Sequence, residues 1–344
     1  MVSPVVKYGS QNINVRYTNS KKRKYMAERE TGLGDTQAHT PVKTPRVSWK
    51  TWLKTARPFT LTATVSPILV GTAVAAYDGT FHMLNFLLAL FSSLFLQIGA
   101  NYFNEYFDYR YGLDSPESLG STTVIFRHEL TAGQVLGGGI ASFVIAAALG
   151  LALIYSVGPT IILFGLAGMA IAYFYSAKPF KFATRGLGDI LVYLAMGFLM
   201  TWGAYYVQIP RWSWQAFVAS VPVGFLVTAI LNMNNVRDYQ DDLAVQKRTL
   251  PVRLGQVFGQ RFHAFLLIGS YVAVSLFVLL RLLPLYSLAV WLTFPLAFSN
   301  VRAVLTATER KAFAIGIKRT AALHFQFGVM LAIGIAVAAL PKLL

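Results

Sequence analysis

Residues 83–114 read MLNFLLALFSSLFLQIGANYFNEYFDYRYGLD. An uncharged run as far as Ala100 leads directly into Asn104, Glu105, Asp108 and Asp114. A charged side chain at the centre of a membrane span costs about 2.5–3.5 kcal/mol. Carboxylates at the end of such a run need a compensating partner, and the rest of the chain indicates its nature.

The 344 residues are 55% hydrophobic and only 13% charged, with a mean hydropathy of +0.53. That balance excludes an ordinary soluble domain and fits a polytopic membrane protein. The chain has no cysteine, so disulfides and thiolate metal sites are excluded. Nine uncharged or nearly uncharged runs start near Pro58, His82, Gln134, Pro159, Leu187, Trp212, Phe262, Leu285 and Ala321. A span needs about 20 residues. The stretch 130–177 carries no charge over 48 residues, and Gly158 with Pro159 divides it into two spans. The expected fold is therefore an all-α membrane protein with nine transmembrane helices, residues 48–344. A basic tail, residues 1–47, precedes it and is too polar to fold by itself. Its basic stretch is not followed by an apolar core, so it does not read as a secretory signal. Acidic residues from Glu28 onward weaken a transit-peptide reading.

The formal charge of +16 suggests nucleic acid until the charges are placed. With nine spans, 27 of the 30 Lys and Arg residues fall in the amino-terminal segment and the loops after spans two, four, six and eight. This asymmetry places the amino terminus and those loops in the cytoplasm, of a bacterial cytoplasmic membrane, and leaves no call for a nucleic-acid partner. The partner it does require is a lipid bilayer. SWKTWLKTARP (48–58) sets Trp49, Trp52 and Leu53 among Lys50, Lys54 and Arg57, the pattern of an interfacial helix entering span one.

Eight of the 14 acidic residues lie in two of those loops. One holds Glu105, Asp108, Asp114, Glu117 and Glu129; the other holds Asp238, Asp241 and Asp242. Both clusters begin where a span ends, and four spans separate them, which suggests a weak internal duplication. Asn104 and Asp108 are one helical turn apart, as are Asn234, Asp238 and Asp242, with Asn235 three before Asp238. Gly112 lets the chain turn so that Asp114 folds back toward Asp108. Carboxylate and amide oxygens suit a hard cation, and magnesium combines few carboxylates with waters and substrate phosphates. Arg127, Lys178, Lys181, Arg237, Lys247 and Arg248 lie on the same side and suit phosphate oxygens. Both signs of charge together fit a magnesium diphosphate better than simple attraction of an anion. Glu117, Glu129 and Asp241 read as solvated, and Arg253, Arg261, Arg310 and Lys311 as followers of the positive-inside rule. Tyr102, Tyr106, Phe107, Tyr109 and Tyr111 form either an interfacial belt or the lining of an aromatic or prenyl pocket. Asp189, after the glycines of GLGD (186–189), is either a helix cap or a polar site wall.

The first loop resembles the Asn-x3-Asp-x5-Asp motif of intramembrane aromatic prenyltransferases, with Asn104, Asp108 and Asp114 in its positions. The second resembles their Asn-Asn-x-Arg-Asp-x3-Asp motif followed by Lys-x-Thr-Leu, matched by Asn234, Asn235, Arg237, Asp238, Asp242, Lys247, Thr249 and Leu250. This is the pattern of the UbiA superfamily. The wider first motif, ARPFTL (56–61) and GLGD are similar to its 1,4-dihydroxy-2-naphthoate polyprenyltransferase branch. The resemblance covers roughly residues 48–341. It departs at Gln246, where the family commonly has Gly before the Lys.

The resemblance implies nine helices bundled around a central cavity open to the bilayer. It implies magnesium, a polyprenyl diphosphate and an aromatic acceptor. The allylic carbon–oxygen bond ionises, the aromatic ring attacks the cation, carbon dioxide leaves and demethylmenaquinone forms. In this scheme Asp108, Asp238 and Asp242 bind magnesium directly or through water. Asn104, Asn235 and Asp114 orient the metal or its waters. Arg127, Lys178, Lys181, Arg237 and Lys247 neutralise the diphosphate. Other acceptors within the superfamily (4-hydroxybenzoate, homogentisate, a chlorophyllide or haem) leave the motifs unchanged. A secondary transporter of an anionic metabolite is the alternative from another class, but its charges belong near the midplane, not at one face. Prenyl length, the general base and the oligomeric state are not legible in the residues.

Overall fold

The computed structural model describes residues 48–114, 118 and 122–340, and all regular structure in them is helical. The expected tail over 1–47, Glu117 and the last residues from 341 lie outside the described residues.

A short helix α1 (Trp49–Ala56) begins at Ser48, whose hydroxyl accepts from the Lys50 amide. Arg57, at φ +54°, turns the chain into α2 (Pro58–Tyr77), with proline at its first position. α3 (Met83–Arg110) carries the first motif on its last turns. α4 (Ala132–Ala152) starts with a reciprocal cap between Thr131 and Gln134 and continues as Ile154–Val157. The chain breaks at Gly158 (φ +90°), as its Gly-Pro pair predicts, and resumes as α5 (Ile161–Phe174). α6 begins as Gly188–Val192, passes through a π-helical stretch Tyr193–Leu199 and ends as Met200–Tyr206.

α7 (Trp214–Arg237) delivers the second motif. Two short helices follow, α8 (Tyr239–Ala244) and α9 (Leu250–Leu254). α10 (Gln256–Leu279), α11 (3-10 over Leu285–Thr293, then α over Phe294–Thr306) and α12 (Arg310–Val337) complete the bundle.

Seven helices among the described residues are long and apolar enough to cross a membrane: α2, α3, α4, α7, α10, α11 and α12. α5, with 14 residues, rises only about 21 Å, less than a bilayer core. α6 is interrupted by its π-helical stretch. The segments expected near Pro159 and Leu187 are thus present as helices of lesser length. Two helices begin earlier than hydropathy suggests: α10 at Gln256 rather than near Phe262, and α12 at Arg310 rather than near Ala321. Polar and basic residues carry a helix out of an apolar layer without breaking it, so hydropathy marks the layer and not the helix end.

α7 is the central helix. Buried residues make up 78% of its apolar window, against 17% for α3 and for α4, whose outer faces remain uncovered. It packs on α10, α12 and the π-helical part of α6. Small residues bring helices close: a side chain at Gly71 of α2 would run into the Thr201 carbonyl of α6, and one at Gly328 of α12 into Ser66 of α2. Each motif helix packs most extensively against the span that follows it, α3 on α4 and α7 on α10. The two motifs therefore arrive on equivalent elements of a repeated pattern.

Candidate active site between α3 and α7

The last turns of α3 and α7 open into one cavity of about 920 Å³. Asn104, Asp108 and Asp114 line it from the first motif, and Asn234, Asn235, Arg237, Asp238, Asp241, Asp242 and Lys247 from the second. Arg127 lines it from the loop after α3, and Lys54 and Arg57 from the α1–α2 junction. The rest of the wall is mostly apolar, with Ser92, Ser93 and Gln97 among its polar members, and includes Ala89 near the start of α3, Leu153 and Ile161 at the α4–α5 break, and Val207 after α6. Nineteen residues of α3 separate Ala89 from Asp108, a rise of about 28 Å. The cavity is therefore charged at one end and oily along most of the bundle. Phe59, Phe164 and Tyr175 are its aromatic wall residues.

Local structure explains the first motif. Asn104 donates from Nδ2 to Asp108 Oδ2 and to Ser176 Oγ, both at 3.1 Å, which fixes the amide beside the acid. Gly112, at φ +66°, ends the helix, and the Leu113 amide returns to the Asp108 carbonyl at 2.9 Å. Asp114 thereby reaches the cavity and adds its field to that of Asp108, as the position of Gly112 predicts. Asp108 is buried, and among the described residues no cation lies within ion-pair distance of it. Lys247 and Arg57 act on it only from further away.

The second motif is built differently. α7 ends at Arg237, and Asp238 occupies the break before α8. The ladder from Asn234 to Asp242 is therefore not one continuous helix, although amide-to-carbonyl bonds still link Asp238 to Asn234 (3.0 Å) and Asp242 to Asp238 (2.8 Å). Arg237 grips Asp238 with two bonds of 2.8 and 2.6 Å. Asp242 is buried, accepts from Thr249 at 3.2 Å and pairs with Lys247 at 3.5 Å. Burial pushes the Asp242 carboxyl up to about 6, against the pull of Lys247. Burial also pulls Lys247 down, but Asp242, Asp108, Tyr175 and Asp114 outweigh it and hold the ammonium above its ordinary range. Gln246 stands at φ +58°, so the position where glycine is common is indeed left-handed. The turn forms regardless, with the Lys247 amide bonded to the Asp242 carbonyl at 2.9 Å.

Other expected residues lie elsewhere. Lys178 and Lys181 do not line the cavity; their ammonium groups sit 5.7 and 3.4 Å from the Tyr111 ring centroid. Lys181 is still near enough to Asp108 to sense its charge. Glu105 is buried and braces Arg57 (3.5 Å) and the Thr122 amide (3.0 Å). Glu129 pairs with Lys54 at 3.7 Å. The aromatic run after Asn101 packs inward: Phe103, Phe107, Tyr111 and Tyr173 form one cluster, and none of the five rings considered as pocket lining reaches the cavity. Asp189 is buried in the first turn of α6, one oxygen has no hydrogen-bond partner among the described residues, and it is absent from the cavity wall. Arg57 and Tyr175 were not anticipated as wall residues. Only the step from a basic residue into a proline-led span pointed to the first, and nothing pointed to the second.

No three His, Cys, Asp or Glu side chains among the described residues cluster tightly enough to hold a metal unaided. The oxygen donors are instead spread over facing walls. Such a set suits magnesium, which completes its shell with waters and substrate phosphates.

A cavity charged at one end and mostly apolar along its length, in an all-helical bundle with seven helices among the described residues long and apolar enough to cross a membrane, has the shape and polarity to fit an amphiphile with an anionic head. Residues 64–319 match the UbiA prenyltransferase family, and the chain belongs to it. It is 32% identical over 279 residues to the 1,4-dihydroxy-2-naphthoate octaprenyltransferase of Bacillus subtilis, covering 81% of this chain and 90% of that one. It is 35% identical over 277 residues to the enzyme of the same name from Escherichia coli, covering 78% and 89%. A UbiA homolog from Archaeoglobus fulgidus, solved bound to GPP and Mg2+, shares the fold with a TM-score of 0.56 at 16% identity over 82% of this chain and 99% of that one. The protein is thus an aromatic prenyltransferase of the membrane.

Proposed function

We propose that the protein transfers a polyprenyl group from polyprenyl diphosphate to 1,4-dihydroxy-2-naphthoate, with loss of carbon dioxide, in menaquinone biosynthesis. The observation that carries this is the convergence of both amide–carboxylate motifs on the charged end of one cavity whose remaining wall is mostly apolar. The naphthoate acceptor is supported by relatives that bear that activity in their names and match over most of their length.

Asp108, Asp238 and Asp242 would hold magnesium, with Asn104, Asn235 and Asp114 orienting it or its waters. Bound there, the metal offsets charge on the departing diphosphate. Lys247, Arg237 and Arg127 face the same end and bind phosphate oxygens, while Lys178 and Lys181 guard its approach. The apolar wall receives the polyprenyl tail and excludes water from the allylic cation left when the carbon–oxygen bond breaks. The electron-rich ring forms the new carbon–carbon bond, the carboxylate leaves as carbon dioxide, and the product is the reduced naphthoquinone skeleton plus diphosphate.

The charge asymmetry of the loops supports nine crossings with the amino terminus and both motifs cytoplasmic, in a bacterial cytoplasmic membrane. The test uses purified protein in lipid with dihydroxynaphthoate, magnesium and polyprenyl diphosphates of increasing length. Mass spectrometry should find a prenylated, decarboxylated naphthoquinone that depends on magnesium. Prenylation of 4-hydroxybenzoate in its place would overturn the acceptor assignment.

A further inference from the structure

Asp241, which reads as solvated in the sequence, and Arg310, which reads as a follower of the positive-inside rule, meet at the second motif. One Nη atom of Arg310 contacts Asp241 Oδ2 and lies 3.5 Å from Asp238 Oδ1. Asp238 therefore carries two guanidinium groups, Arg237 from α7 and Arg310 from α12. No wall residue of the cavity comes from beyond Lys247, so Arg310 joins the carboxyl-terminal helices to the site.

The placement of Arg310 is not explained by helix formation. It is the first residue of α12, where the helix dipole disfavours a cation, and no acid lies in that turn. Nor is it needed to seat α12. Gln260 of α10 already ties down the preceding turn by donating to the Val304 and Ala307 carbonyls at 2.8 and 2.9 Å. The Nε of Arg310 is buried without a partner among the described residues, so the guanidinium keeps a donor in reserve.

We infer that Arg310 is a positioning residue for the metal-diphosphate site. It holds Asp238 toward the cavity and balances the charge of Asp241. This rests on the proposed role of Asp238 in binding the metal diphosphate.

The test measures the magnesium concentration for half-maximal turnover and the KM for polyprenyl diphosphate in Arg310→Gln, Arg310→Lys, Asp241→Asn and the Arg310→Gln/Asp241→Asn double variant. Arg310→Gln should raise both values by about fivefold, the change that a partly exposed ion pair supports, with little change in kcat at saturation. Arg310→Lys should restore part of the loss, and the double variant should be no worse than Arg310→Gln alone. Unchanged half-saturation values, an effect confined to melting temperature, or additive losses in the double variant would overturn the inference. If Arg310→Gln does not fold, Arg310→Lys and Asp241→Asn carry the test. Asp238→Asn runs alongside: full activity there defeats the underlying site assignment, whereas its loss beside a normal Arg310→Gln defeats only the role of Arg310.

Discussion

The two motifs look like copies in sequence and differ in the structure. Asp108 of the first is buried with Asn104 as its neutral hydrogen-bond partner, while the cations that act on it stay beyond ion-pair distance. The acids of the second are already paired, Asp238 with Arg237 and Arg310, and Asp242 with Lys247. A duplicated pattern thus holds one acid, Asp108, by a neutral amide and two others, Asp238 and Asp242, by cations. A metal diphosphate needs both, because its metal seeks carboxylates and its oxygens seek Arg and Lys.

The largest expected effect breaks the first half. Asp108→Asn keeps the shape and removes a charge that no cation among the described residues meets at ion-pair distance; turnover should fall by about 100-fold or more, measured as product formed at saturating substrates. Lys247→Gln attacks the second half and leaves Asp242 buried without its cation. The KM for polyprenyl diphosphate should rise by about tenfold or more, and a steady-state titration of that substrate checks it.

Two further tests sharpen the contrast between charged and oily ends. Leu199 lines the cavity at the end of the π-helical stretch of α6, eleven residues along the helix from Gly188. Leu199→Trp should cut turnover of octaprenyl diphosphate about tenfold while sparing geranyl diphosphate, read from competition between the two. In the second half, Asp242 ionises only above about pH 6 because burial disfavours its charge. A proton must leave before it can bind a metal. Magnesium affinity should therefore drop as pH falls, by about fourfold at pH 5.5 relative to neutral pH, as calorimetry would show. The smallest effect concerns Gln246, whose left-handed backbone disfavours a side chain. Gln246→Gly should stabilise the protein by about 0.5–1 kcal/mol and leave turnover unchanged, which thermal melting and an activity assay check together.

Much of the bundle was legible because apolar length and a Gly-Pro break are local signals. Both motifs were legible as i, i+4 pairs, the first with a glycine turn at Gly112, and the structure puts them on one cavity. Pairings between distant segments were not. Hydropathy sees Arg310 as a basic residue near a span and cannot show that it lands on Asp238, 72 positions earlier in the chain. Lys178 and Lys181 carry the right charge on the right side, but the Tyr111 ring holds them off the wall. The π-helical stretch of α6, where Gly197 packs closely on Gly224, has no signature in composition.

The central claim is that Asp108 of the first motif and the ion-paired Asp238 and Asp242 of the second grip one metal diphosphate between them. The most direct measurement is a structure of the protein with manganese, as an anomalous scatterer in place of magnesium, and a non-reactive polyprenyl thiolodiphosphate. Manganese peaks at about 2.2 Å from Asp108 and from Asp238 or Asp242, bridged by one diphosphate whose tail runs toward Ala89, are the predicted result. Metal on only one motif, or a diphosphate bound away from both, would contradict the account.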